Sequence, residues 1–441
     1  MNKKFLTMAA AAMMFAACSN DADTIKESAE LAQNSQTGQV PVAFGAYLNR
    51  ATTRAGYAGE VDLGQLKVNG FGVFGYYTNG ELFSDFAKPN FMYNEKVSGD
   101  DWTYEPVKYW PNEYGLSAVS DELDRVSFFA YGPYVEVTPG TGVVTGDHTS
   151  GIIGMSRNTA TGAPYVKYAV STDPAAQVDF IWGVADEGGK PAAIMGTNKV
   201  TKDAPFLDLI KPAQGEKIKF NFHHALAALN VQVDGFFDSE AASDNDVDAN
   251  SKIYVRSITF EGIATEGAFN LNQAVDGAVW SELCCCNTIE EGSFTIYDAL
   301  RDGKEGAGIE AANEKPAGLN DVIIQKDGSV GVTKTAVNLF NSTTADAPIY
   351  IIPATSDATK LKVNIVYDVE TADPDVITTL SDGVTKGVST TNNITKETTL
   401  NLEAGKKYIL KLHLGMTSVK FDAEATDWGD STLSGEANLP E

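Results

Sequence analysis

The chain has 441 residues, 43% hydrophobic and 10% aromatic, enough for sizeable cores and for two or three domains. Its 59 acidic residues outweigh 33 basic ones, for a formal net charge of −26. Such a surface excludes nucleic acid as a partner, because the phosphate backbone attracts basic surfaces, and it suits solubility outside the cell.

Residues 1–17 read as an export signal. Lys3 and Lys4 make a positive start, and an apolar run from Phe5 to Ala17 follows, broken only by Thr7. That run is shorter than the about 20 apolar residues that cross a bilayer. Phe15-Ala16-Ala17-Cys18 resembles the bacterial lipobox, where an apolar residue and two small ones precede a cysteine that is lipidated. Cys18 is therefore the expected lipidation site, and an acyl chain there would anchor the protein in the outer membrane. An ordinary signal peptide with an incidental cysteine is the alternative. The polar stretch 18–39 is the expected flexible tether. No later stretch reads as a membrane span.

From residue 40 onward the dominant period is two. In "VPVAFGAYL", Val42, Phe44, Ala46 and Leu48 share one face. "LKVNGFGVFGYY" (66–77) reads as a Gly- and aromatic-rich strand. "RVSFFAYGPYVEV" (125–137) is another, bent by Pro133, and "VDFIWGVA" (178–185) follows. In "KIKFNFHHALAALNVQVDGFF" (217–237), Ile218, Phe220 and Phe222, then Leu229, Val231 and Val233, alternate with polar or small residues; "HHALAAL" between them fits a strand or a short turn. The acidic stretch around 241–250 is the expected linker between a domain over 40–240 and one over 251–441. Strand patterns resume at 252–263 and continue through 347–355, 361–370, 398–415 and 418–428. Short strands separated by Gly, Asn, Asp and Pro predict an all-β fold of tandem β-sandwiches.

Chemistry has little to stand on. Cys284, Cys285 and Cys286 are adjacent, so they make a poor disulfide framework and a poor metal site. Asp244, Asp246, Asp248 and Asn250 have calcium-loop spacing, but Ala249 and Val255 stand where such a loop needs Gly and Glu, and a solvated linker fits better. His223, His224 and His413 sit in strand patterns, as satisfied or surface side chains do. Hydrolase elbows, zinc-protease motifs and phosphate loops do not occur. No catalytic residue, metal or cofactor is expected. Trp102, Tyr104, Tyr109 and Trp110 crowd "DWTYEPVKYWPNEY" (101–114) and could form either a sugar platform or core.

Taken in order, these pieces resemble the fimbrillin-family lipoproteins, pilin-like proteins of Gram-negative anaerobes. The resemblance is carried by the Cys18 lipobox, "VAFGAYLNRATTRAG", "DWTYEPVKYWP", "VSFFAYGPY", "VDFIWGVA", "KFNFHHALAALNVQV", "YIIPAT" and "LEAGKKYILKLHL" with "ATDWGD". It implies two transthyretin-like β-sandwich domains, export to the outer membrane as a lipoprotein, and assembly with other fimbrial subunits at the cell surface. It also implies that 40–54 is a removable plug strand with its cleavage loop. Val42, Phe44, Ala46 and Leu48 would be the buried knobs, and an arginine-specific protease would cut after Arg50 or Arg54. A donor strand from the next subunit would then fill the groove. The candidate donor side chains are Val419, Phe421, Ala423 and Ala425, since the tail after Trp428 is polar. Host or bacterial surface ligands are further candidate partners. The alternative is a glycan-binding surface lipoprotein that does not polymerise.

Overall fold

A computed structural model of the chain describes residues 40–48, 61–78, 80–111, 124–146, 148–171, 176–185, 204–211, 216–235, 251–273, 280, 290–298, 323–325, 337–338, 341–342, 345–346, 349–353, 359–380, 383–415, 419–427 and 435–437. The fold is all-β. The early strands are β1 (Phe44–Leu48), β2 (Phe71–Tyr77), β3 (Met92–Val97), β4 (Val126–Gly132), β5 (Val137–Thr138), β6 (Val143–Val144), β7 (Gly151–Met155) and β8 (Tyr165–Ala169). There follow β9 (Ile181–Ala185), β10 (Phe206–Leu209), β11 (Ile218–His224), β12 (Ala227–Gly235), β13 (Ser251–Asn270), β14 (Glu290–Asp298), β15 (Ile323–Gln325) and β16 (Val337–Asn338). The last are β17 (Asn341–Ser342), β18 (Ala345–Asp346), β19 (Ile349–Ile351), β20 (Thr359–Ala372), β21 (Gly387–Leu400), β22 (Lys406–Leu414), β23 (Val419–Asp427) and β24 (Gly435–Ala437).

Among the described residues these strands build three large sheets and the β17-β18 pair. The first sheet runs β1-β11-β9-β4-β2-β3, with β10 also on β4. The second runs β21-β20-β13-β8-β7-β6-β5, with β14 and β15 also on β13. The third runs β16-β12-β22-β23-β24, with β19 also on β12. The chain passes from the first sheet to the third at Ala225-Leu226, between β11 and β12. The expected linker at 241–250 lies outside the described residues. The second sheet draws β5 to β8 from before that stretch and β13, β20 and β21 from after it.

Two apolar cores result, and the first sheet is shared between them. Phe71, Val73, Val126, Phe128 and Ala130 enter one core; Phe74, Tyr76, Phe129 and Tyr131 enter the other. Successive side chains on a strand face opposite ways. Burial on both faces is why β2 and β4 read as unbroken apolar runs instead of alternating. The second core also fills the space between the second and third sheets, with Val231, Val255, Phe260, Val363 and Leu410 among its members.

The predicted strand over 66–77 is divided in the structure. Leu63–Asn69 forms α1. Asp62 Oδ1 accepts from the Gln65 amide at 2.6 Å, and the Gln65 side chain accepts from the Asp62 amide, a capping box that stabilises the first turn. Gly70, at φ +84°, ends the helix in a conformation other residues avoid, and β2 starts one residue later. The strand after residue 70 stands as expected, but the cap before it decides the first half.

Candidate functional site: the seat of the first strand

β1 is the edge strand of the first sheet, and its alternation decides what it buries. Val42, Phe44 and Ala46 are buried, Leu48 is half-buried, and Tyr47 on the opposite face is 43% exposed. The strand pairs in parallel with β11, placing Phe44 opposite Ile218, Ala46 opposite Phe220 and Leu48 opposite Phe222. Parallel neighbours cannot be joined by a tight turn. β1 is therefore laid against a strand from a distant part of the chain.

The residues leading into β1 are held from both sides. The Val42 amide donates to Lys108 O and the Trp110 amide to Val40 O, both at 2.9 Å, and Pro41 bridges Tyr109. Tyr104 Oη donates to Val42 O at 2.8 Å. The Ile218 amide donates to Ala43 O at 2.8 Å. Burial pushes the Tyr104 phenol above its ordinary pKa, so it stays a hydrogen-bond donor. Burial also raises the nearby Glu95 carboxyl, with Lys108 pulling the other way.

Phe44 sits in an aromatic nest. Its ring centroid lies 5.4 Å from Tyr104, 5.7 Å from Phe128 and 6.1 Å from Phe220. Trp110 meets Phe128 edge-on at 5.7 Å. Tilted and edge-on contacts of this kind add to simple burial. Phe220 reaches this position because Gly183 on β9 lies beneath it; a Cβ there would come within 2.9 Å of the ring. Burying Val42, Phe44, Ala46 and part of Leu48 contributes on the order of 5–8 kcal/mol. Each backbone hydrogen bond adds about 1 kcal/mol. The strand is firmly seated, yet no contact across the seat is covalent.

The knobs named from sequence therefore come together in one seat. Cys18, Arg50 and Arg54 lie outside the described residues. The candidate donor side chains Val419, Phe421, Ala423 and Ala425 are on β23, in the third sheet and not at the seat. There β23 lies between β22 and β24, with Leu414 opposite Val419, Leu412 opposite Phe421, Leu410 opposite Ala423 and Tyr408 opposite Ala425. The four rings of the possible sugar platform are not presented together. Tyr104 and Trp110 are buried in the core, and Trp102 tilts onto Phe71 at 5.5 Å. Sequence reasoning missed the seat's own lining: Tyr104, Phe128, Ile218, Phe220 and Phe222. The alternation in "IKFNF" marks the last three as one face, but nothing local says that β1 covers them.

A short apolar strand held at a sheet edge by buried side chains, in a chain that is nearly all β, sets the class: a β-sheet protein whose first strand closes an edge of its own sheet. The chain belongs to the fimbrillin-like family, whose model matches residues 53–428. That match begins after β1, so membership and the seat are separate observations. The fimbrium subunit Fim1C of Phocaeicola vulgatus is 26% identical over 394 residues, covering 86% of this chain and 87% of that protein. The crystal structure of a fimbrial protein from Bacteroides vulgatus ATCC 8482 superposes with a TM-score of 0.55 at 21% identity, covering 88% of this chain and 99% of that one, a likeness of fold.

Proposed function

We propose that the protein is a structural or accessory subunit of cell-surface fimbriae, without enzymatic activity, that polymerises by exchanging an edge strand. The observation that carries this is the seat of β1: knobs buried against an aromatic lining, on a strand followed in the sequence by Arg50 and Arg54. The precursor would reach the outer membrane anchored through Cys18. There an arginine-specific protease would cut after Arg50 or Arg54, β1 would leave, and the exposed edge of β11 would accept a strand from a neighbouring subunit. An open edge pairs with whatever strand it meets, so β1 guards it until a partner is present.

The donor is the chain's other end. β23 would have to leave nine residue pairs with β22 to donate Val419, Phe421, Ala423 and Ala425. β24, beyond it, is held by three pairs at the outer edge of the third sheet. β24 is thus the cheaper strand to release. In the sequence, Leu433, Ala437 and Leu439 around it recur at even spacing.

Digestion of the purified precursor with a trypsin-like protease tests the reading. The expected product begins at Ala51 or Ala55 and elutes as oligomers. The double variant Arg50→Ala, Arg54→Ala is expected to stay uncut there and monomeric. A processed wild-type chain that remains monomeric overturns the proposal.

A further inference from the structure

Leu48 and Val61, the residues on either side of 49–60, both lie beside the same end of β11. Leu48, the last residue of β1, lies opposite Phe222. Val61 is tied to the neighbourhood of His224, two residues further on, through Asp179. The Val61 amide donates to Asp179 Oδ2 at 3.3 Å, and His224 Nδ1 lies 2.7 Å from that same oxygen. The Phe180 amide donates to Asp179 Oδ1 at 2.8 Å. The Asp179 side chain is fully buried and that of His224 is 10% exposed. A carboxylate taken out of water has to be held by hydrogen-bond partners, and Asp179 has the Val61 and Phe180 amides and the His224 ring.

The anchors on the two sides differ in kind. Upstream, β1 is retained by its knobs and by pairing along β11. Downstream, Val61 and Leu66 are buried, and α1 is capped by Asp62. Leu66 packs so closely over Gly132 that a Cβ there would lie 2.8 Å from it, beside Ile181.

We propose that the Asp179–His224 pair is a fixed post for the chain downstream of the segment, holding it through the Val61 amide. A cut within 49–60 then frees β1 alone and leaves α1 in place. Asp179 and His224 are positioning residues: they decide which side of the cut departs. This rests on the strand-release reading above but concerns the side that stays.

Amide exchange before and after digestion tests it, read at Leu66 and Gly70, whose amides donate to Asp62 O and Leu66 O within α1. In cut wild-type protein these amides are expected to stay as protected as in the uncut chain. In cut Asp179→Asn they are expected to exchange at least tenfold faster. Val61→Pro removes the amide hydrogen and leaves Asp179 and His224 untouched; it should behave alike, and it decides the matter if Asp179→Asn does not fold. Cut variants as protected as cut wild type, or cut wild type that loses α1 protection, overturn the post. If residues 42–48 stay protected after the cut while α1 responds to the variants as stated, strand release fails and the post stands.

Discussion

β1 and β21 both sit at sheet edges, and they are held by opposite means. β21 is 14 residues long and pairs along its whole length with β20, its neighbour in sequence. Of its residues only Gly387 and Leu400 are buried, with Asn392, Ile394 and Thr398 half-buried. It stays because the chain delivers it there and the backbone ladder is long. β1 has five residues and a partner distant in sequence, and it stays because its side chains fill a core. An edge held by a ladder and a local connection is permanent. An edge held by knobs is the one that the proposed exchange would hand to another strand bearing similar knobs, once the covalent link is gone.

The largest expected effect tests the knobs directly. Phe44→Ala empties the aromatic nest, and a truncation of this kind in a core costs about 3–5 kcal/mol. Amide exchange over 42–48 should accelerate by more than a hundredfold, and oligomers should form without protease. Unchanged protection would mean that β1, like β21, is held by its ladder.

Tyr104→Phe sharpens the comparison at smaller scale. It keeps the ring against Phe44 and deletes two hydrogen bonds of the phenol, one donated to Val42 O and one accepted from the Lys108 amide, at a cost of about 2 kcal/mol. Urea unfolding of the uncut protein should show a shift of that size. At the other edge, Thr399→Ala on the exposed face of β21 is expected to move the unfolding free energy by no more than about 0.5 kcal/mol. A larger loss there would show side-chain anchoring where the structure has almost none.

Legibility in the sequence followed burial. β1, β11, β20 and β22 announce themselves because one face meets a core and the other meets water or a polar neighbour. β21 escaped notice because "GVSTTNNITKETTL" exposes nearly everything and so carries no alternation. α1 was misread as strand because seven residues show too little period, although Asp62 and Gln65 stood at capping-box spacing. The knobs of the site were legible; its walls were not. Tyr104 and Trp110 left a sugar platform open beside core packing, since an aromatic side chain does not declare from sequence whether it faces solvent or core.

By itself, the sequence determined the all-β character of the chain and the inward face of residues 42–48, because period two and turn residues are local properties. Only the tertiary structure decided that this face covers Ile218 and Phe220, that β1 takes an edge in parallel, and that Asp179 ties Val61 to His224. Those are long-range choices. A strand's pattern states that something must cover it, and which surface does so is settled only when every other strand has found its place.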